Sequence, residues 1–355
     1  MPHTPKILVD LERMRYPNTG LYHYCLHLGR ALQQQGHRHK AQLGFYLRKE
    51  TLPLFEESPL HHIQYSLHKH HMLFAAKFDV WHCTFQGSNY FPGSFKTRIV
   101  LTIHDLNFLH EELHPGKQKK FLHALQRKIN RADIIIAISK FVKNDMLNNL
   151  QVRNKPIEVI YNGCNINDEV LPCLPAIVPP APFIFTISAI NEKKNLHVLP
   201  GMLLKNNYFL VIAGITHDEN YKKKILDVAR KLEVDKRVIF TGAVSESEKY
   251  WYLGNCLAFA FPSLAEGFGL PVIEAMHFGK PVILSKATSL PEIGGDCAYY
   301  FDNFDPVHMS EKLDQSLDDY MTRNSAPEII EWSQHFNWQT TAEKHWQLYE
   351  SLLMK

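Results

Sequence analysis

Phe261-Pro262-Ser263-Leu264-Ala265-Glu266-Gly267-Phe268-Gly269-Leu270-Pro271-Val272-Ile273-Glu274-Ala275-Met276 is the stretch on which the reading of this chain turns. An apolar strand pattern over residues 257–261 runs into a loop that contains Gly267 and Gly269. Pro271 then stands where a helix begins, a position that suits a residue with no N–H of its own. Glycines let backbone amides come close to an anion, and a helix N-terminus adds partial positive charge. Strand, glycine loop and helix in this order make a diphosphate cradle.

Outward from this cradle, short apolar runs alternate with helical patterns, the βαβ rhythm of a parallel sheet covered on both faces. Upstream in the same half, strands are predicted over residues 183–188, 209–213 and 238–241, with helices over 196–204 and 221–232. Downstream come a helix over 271–278 and a strand over 281–284. The first half repeats the rhythm, with strands over 7–10, 80–83, 99–103, 134–137 and 157–160 and helices over 20–35, 121–131 and 140–150. Between the halves, Pro172, Pro175, Pro179, Pro180 and Pro182 crowd a stretch that can continue neither a helix nor a central strand. The expected architecture is α/β: a doubly wound, Rossmann-like domain over residues 1–170, a linker over 171–182 and a second such domain over 183–336. Residues 340–353 form an amphipathic helical pattern in the last segment, 337–355. Ligand-binding edges of two such domains are expected to face each other across a cleft.

Composition narrows the function classes. With 355 residues and 45% hydrophobic content, the chain can bury the cores of two domains. A formal charge of +3 is too weak an excess to point to nucleic acid. Cys25, Cys83, Cys164, Cys173, Cys256 and Cys297 are scattered without a C-x-x-C pair, which fits reduced thiols. No apolar leader precedes the strand at 7–10, and no run reaches the roughly 18 apolar residues of a membrane span. A cytoplasmic protein is expected.

Glu266 and Glu274 flank the cradle. A helical separation of eight residues would span about 12 Å, beyond the roughly 5–9.5 Å between the paired carboxyls of glycoside hydrolases. Two carboxylates so placed suit two different parts of one ligand. Here the sequence resembles the retaining glycosyltransferases of family 4, whose signature is two glutamates with seven residues between them in a Glu-Gly-Phe-Gly-Leu-Pro context. The likeness continues through Leu290-Pro291-Glu292-Ile293-Gly294-Gly295-Asp296 and covers nearly the whole chain.

The resemblance implies roles residue by residue. Glu266 would contact the donor sugar and Glu274 the ribose hydroxyls, with Gly267, Phe268, Gly269 and Leu270 forming the loop between them. Lys193-Lys194-Asn195-Leu196 resembles the family's Arg-Lys-Asn-Leu segment, whose cations neutralise the leaving diphosphate as negative charge grows on it. Lys193 replaces the usual arginine and gives up a bidentate contact. Thr241-Gly242-Ala243-Val244 resembles the loop that reads the base through its backbone, which brings in Gly242 and Val244. His104-Asp105-Leu106, at the end of the strand over 99–103, resembles the family's His-Asp-Leu motif. There the histidine lies by the reactive bond, and Asp105 would orient it or help position the acceptor. Asn18-Thr19-Gly20-Leu21-Tyr22 resembles the first glycine-rich loop, with Gly20 as the contact and Tyr22 in place of the family's second glycine. Ser139, Lys140, Asn162 and Gly163 also match family positions.

Two further features stand outside this pattern. His68-Lys69-His70-His71, with His61 and His62, is read as a polar surface, because adjacent residues rarely point at one ion. No metal and no cofactor beyond the donor substrate are expected. Lys117, Lys119, Lys120, Arg127, Lys128 and Arg131 interleave with Phe121, Leu122 and Leu125 on a helical pattern. That face is read as solvated, with contact to an anionic membrane as the alternative.

The resemblance therefore implies a GT-B enzyme that holds a nucleotide-sugar donor in its second domain and a carbohydrate or lipid-linked saccharide acceptor in its first. The last helix would cross back onto the first domain. The reaction would be metal-independent, with the departing phosphate taking the acceptor's proton. GDP-mannose is the first choice of donor, with UDP-sugars open, and surface polysaccharide assembly is the implied setting. Rival readings are a nucleotide-sugar epimerase and a silent sugar-nucleotide-binding scaffold. A dinucleotide-dependent oxidoreductase fits less well, since Val272 replaces the third glycine of that fingerprint.

Overall fold

A computed structural model describes residues 3–17, 19–55, 58, 60–111 and 113–354. The chain divides into two compact units, one of Met1–Asn165 with Phe336–Lys355 and the other of Ile166–His335. In the first unit the strands are β1 (Lys6–Asp10), β2 (Gln42–Leu47), β3 (Leu60–Ile63), β4 (Val80–Cys83), β5 (Arg98–Ile103), β6 (Ile134–Ala137) and β7 (Ile157–Val159). They form one parallel sheet in the order β3-β2-β1-β4-β5-β6-β7. Its helices are α1 (Gly20–Gln35), α2 (Pro115–Arg131) and α3 (Lys140–Asn149).

The second unit has β8 (Phe183–Ile187), β9 (Phe209–Ala213), β10 (Val238–Gly242), β11 (Ala258–Phe261), β12 (Val282–Leu284) and β13 (Tyr299–Tyr300). These too are parallel, in the order β10-β9-β8-β11-β12-β13. Its helices are α4 (Glu219–Lys231), α5 (Glu246–Asn255), α6 (Leu270–His277), α7 (Leu290–Gly294), α8 (Pro306–Arg323) and α9 (Ala326–Gln334).

Burial on both sheet faces explains the unbroken apolar strands: Ile7, Leu8 and Val9 have no exposed surface, nor do Leu210, Val211 and Ile212. The last helix, α10 (Trp338–Leu353), belongs to the first unit. Its Trp346 and Tyr349 are buried with Leu28 and Leu32 of α1, and His39 stacks on Trp346 with ring centroids 4.0 Å apart.

Several expectations are corrected. The central strands of the first unit appear where predicted, but β2 and β3 carry no apolar run that would announce them. β2 contains Gly44, where a Cβ would come within 2.6 Å of the Leu60 Cβ, and β3 reads Leu-His-His-Ile at the sheet edge. The helix expected over 196–204 is a 3₁₀ helix, Leu196–Leu203, because Pro200 inside it has no N–H to donate. The proline-rich stretch over 171–182 lies in the second unit, and the division falls after Asn165. Hydrogen bonds hold it against α5: Cys173 N–H donates to the Ser247 carbonyl at 3.1 Å, and Tyr252 Oη to the Ile177 carbonyl at 2.5 Å.

Candidate active site

In the second unit, β11 delivers its chain into the glycine loop at the C-terminal edge of the sheet, and α6 follows. Gly269 stands before the helix with φ +115°, in the region that favours glycine, and a Cβ there would sit 3.0 Å from Leu290 Cδ2. No side chain caps α6, whose first turn holds Pro271 as its sequence implied. The loop is tied down from the turn that leads into α7. Thr288 Oγ1 accepts from Glu266 N–H at 2.9 Å, and Ser289 Oγ donates to the carbonyls of Glu266 and Phe268 at 3.0 Å.

The 193–194 turn after β8 is docked on the same loop. Leu264 N–H donates to the Lys193 carbonyl at 2.8 Å, and the Lys194 ammonium forms an ion pair with Glu266. The two side chains are 13% and 14% exposed, and Lys194 Nζ also lies 5.3 Å from the centre of the Phe261 ring. Glu274, one turn into α6, is buried and paired with Lys249 of α5, Nζ to Oε2 3.0 Å. At the end of β10, Gly242 has φ +72° and its carbonyl accepts from Gly214 N–H at 2.7 Å, while Val244 lies in the short link to α5. The unit thus brings Lys194 to Glu266 and adds Lys249 to Glu274.

In the first unit, His104 follows β5 and is 7% exposed. Its Nε2–H donates to the Thr84 carbonyl at 2.7 Å, so Nδ1 is the side that accepts. Burial, with Arg13 nearby, pushes its pKa down to about 4, so the ring is neutral at physiological pH. Its backbone N–H donates to Gln86 Oε1 at 3.0 Å, and Tyr24 meets the ring edge-on at 4.6 Å between centroids. Asp105 turns the chain: its Oδ1 accepts from Asn107 N–H at 3.1 Å. A neutral imidazole fixed in this way suits a hydroxyl donor on its Nδ1 face.

Near His104, Asp10 and Ser88 went unread in the sequence, and Lys128 was read only as part of the basic helical face. Asp10 ends β1 and is buried, with Oδ1 accepting from Glu12 N–H at 2.9 Å and Oδ2 from Ser88 Oγ at 3.0 Å. Desolvation pushes its pKa up to about 7. Lys128 of α2 donates to the carbonyls of Gln86 at 2.7 Å and Ser88 at 2.5 Å. Asp10, Ser88 and Lys128 therefore pin the 84–88 loop that holds His104. The strand-end position of Asp10 was the signal that could have found it. Lys249 was also missed; its signal was a lysine four residues before Leu253, both buried in α5.

The remaining candidates are placed as follows. Gly20 opens α1 behind the Thr19 cap, exposed, and a Cβ there would meet nothing within 4 Å. Asn18, quoted with it, lies outside the described residues. Ser139 caps α3 by accepting from Val142 N–H at 3.1 Å, and Lys140 is its first residue. A Cβ on Gly163 would come within 2.4 Å of Trp338, which accounts for the glycine by packing. The basic helix is not a uniform solvated face: Lys128 turns inward, and Arg131 Nη2 donates to the Thr97 carbonyl at 2.7 Å. In the histidine patch, His62 stacks on Phe74 at 3.6 Å and His68 Nδ1 lies 3.1 Å from Tyr46 Oη. Among the described residues no helix is long and apolar enough to cross a membrane.

Two family models divide the chain between them, Glycosyltransferase Family 4 over residues 19–168 and Glycosyl transferases group 1 over residues 175–331. The chain belongs to this glycosyltransferase family, and its fold is GT-B. It is 24% identical over 395 residues to O-antigen chain mannosyltransferase B of Escherichia coli, covering 98% of this chain and 100% of that protein. It is 27% identical over 265 residues to the serotype-specific mannosyltransferase WbdA of Escherichia coli, covering 69% of this chain and 32% of that longer one. Sucrose-phosphate synthase from Thermosynechococcus elongatus matches with a TM-score of 0.78 at 18% identity over 99% of both chains. Anabaena Alr3699/HepE in complex with UDP-glucose matches with a TM-score of 0.75 at 19% identity, over 98% of this chain and 99% of that one. Likeness at these identities speaks for the fold.

Proposed function

We propose that this glycosyltransferase moves a hexose, mannose as first choice, from a nucleoside diphosphate sugar to a saccharide hydroxyl with retention of anomeric configuration, in surface polysaccharide assembly. The observation that carries the reading is the Lys194–Glu266 pair on the glycine loop before α6. A cation, a carboxylate and a helix N-terminus close together support this reading, because a sugar diphosphate calls on all three. The mannosyl choice rests on the two mannosyltransferases named above, and the polysaccharide setting and saccharide acceptor on the O-antigen chain named for the first of them. For a lipid-linked acceptor, the exposed side of α2, with Lys117, Lys119, Lys120, Phe121 and Arg127, is the face that would meet an anionic bilayer.

In the proposed reaction the bond from the anomeric carbon to the diphosphate breaks, and the acceptor oxygen bonds to that carbon from the same face. The acceptor's proton passes to the departing phosphate oxygen. Lys194 stabilises the charge that develops on the phosphate, and Lys193 adds to the positive field. Glu266 holds the sugar, Glu274 the ribose, and the Gly242–Val244 turn the base. His104 offers Nδ1 to a sugar hydroxyl and remains neutral throughout. No metal or cofactor is part of the proposal.

The test is a thermal-shift screen of GDP-mannose, UDP-glucose, UDP-galactose and UDP-N-acetylglucosamine, since a ligand of the folded state raises apparent stability. Transfer with the donor that shifts the protein is then followed by proton NMR. GDP-mannose is expected to give the largest shift and an α-linked product. A shift with another sugar alone would replace the donor, a β-linked product would remove retention, and no shift by any would favour the scaffold reading.

A further inference from the structure

Both carboxylates of the glycine-loop stretch meet a lysine, but the two pairs are built differently. Lys194 approaches Glu266 from a short turn at the loop. Lys249 approaches Glu274 from inside a helix, and their side chains are 11% and 6% exposed. Holding an ammonium there costs desolvation that an apolar residue would not incur, so stability alone does not account for a lysine at this position.

What the lysine supplies is control over the carboxylate. An ionised carboxylate accepts on both oxygens, as a ribose with two adjacent hydroxyls requires. The contact at 3.0 Å anchors Oε2. Lys249 is itself held at a set angle, because α5 opens on a reciprocal cap. Ser245 Oγ accepts from Glu248 N–H at 3.3 Å, and Glu248 Oε2 accepts from Ser245 N–H at 2.8 Å. That cap directly follows Val244, so base-side turn, cap and lysine form one continuous piece of chain.

We infer that Lys249 is a positioning residue for nucleotide selectivity: its contact holds Glu274 turned to accept from both ribose hydroxyls, so the site selects ribonucleoside diphosphates over their 2′-deoxy counterparts. The inference rests on the reading of Glu274 as the ribose contact. Lys249 acts through Glu274 and does not touch the nucleotide.

The experiment is calorimetric binding of GDP, UDP and their 2′-deoxy forms to the full chain. It compares the parent protein with Lys249→Met, Lys249→Arg, Glu274→Gln and the double variant Lys249→Met/Glu274→Gln. For whichever base binds, the parent is expected to prefer the ribo form about tenfold, the equivalent of roughly 1.4 kcal/mol. Lys249→Met and Glu274→Gln should each bring the ratio to within about twofold, whereas Lys249→Arg should keep most of it. Parent-like selectivity in Lys249→Met with loss in Glu274→Gln overturns the inference and leaves the role of Glu274 standing. Parent-like selectivity in Glu274→Gln overturns that role itself. If Lys249→Met does not fold, Lys249→Gln is read in its place against the same outcomes, and the double variant, which leaves no buried ion without a partner, tests whether Lys249 acts only through Glu274. A ratio equal to that of Glu274→Gln alone is expected, and a further change would show that Lys249 contacts the nucleotide directly.

Discussion

In the first unit the strand ends present His104, an imidazole kept neutral by burial and bonded to a backbone carbonyl. The second unit presents Lys194–Glu266 on the turns that follow β8 and β11, and Lys249–Glu274 between α5 and α6, charges kept in pairs. Both sheets are parallel and built around the same kind of apolar strands, so the difference lies in how each edge is finished. A neutral ring fits a position beside a sugar, where hydroxyls exchange hydrogen bonds. Paired charges fit a diphosphate and a ribose, one of which brings negative charge and the other hydroxyl donors. One topology thus carries two kinds of finished edge, a neutral ring in one unit and paired charges in the other.

The comparison breaks most readily with pH. His104 and His345, both in the first unit, have pKa values lowered to about 4 by burial, and buried His82 is lowered as well. Each unfolded imidazole takes up a proton near 6.5 that its folded form refuses. Stability from these groups is therefore intact above pH 6.5 and lost as pH falls towards 4, on the order of 3 kcal/mol for each of the first two. Among the described residues, His197 is the one histidine of the second unit whose pKa burial lowers, and it is half-buried. Hydrogen exchange in mild urea should accordingly show first-unit peptides losing protection before second-unit peptides between pH 7 and 4.5. Comparing peptides at a single pH removes the chemical dependence of exchange. Equal loss in both units would contradict the assigned burial of these rings.

Asp10 works in the opposite sense and sharpens the test. Its folded pKa, raised from 3.8 to about 7, gives stability that is complete below pH 3.8 and lost as pH rises through 7. Asp10→Asn should be neutral near pH 4 and stabilising above pH 7, by at most about 4 kcal/mol. Urea midpoints at the two pH values measure it. A variant that is destabilised at pH 8 would mean that Asp10 functions there as a paired anion.

Much of this was legible in the sequence because parallel strands buried on both faces must be apolar throughout, and a glycine loop before a proline-led helix leaves few other readings. Glu266, Glu274 and Lys194 could be placed by the motif around them. What stayed hidden depends on partners distant in sequence. Lys249 lies 25 residues from Glu274, and Asp10 is 78 residues from Ser88. β3 was missed because two histidines in a four-residue edge strand give no periodic signal. The proline stretch was read correctly as neither helix nor strand, but hydrogen bonds to α5 that no local pattern reveals attach it to the second unit.

The central claim is that the second unit binds the nucleotide while His104 of the first acts on the sugar. It is tested most directly by measuring nucleoside diphosphate affinity and kcat in Glu274→Gln and His104→Ala with the donor found in the screen. Glu274→Gln should weaken nucleotide binding about tenfold, and His104→Ala should lower kcat about a hundredfold with nucleotide affinity unchanged. Parent-like nucleotide affinity in Glu274→Gln, or a parent-like kcat in His104→Ala, would contradict the account.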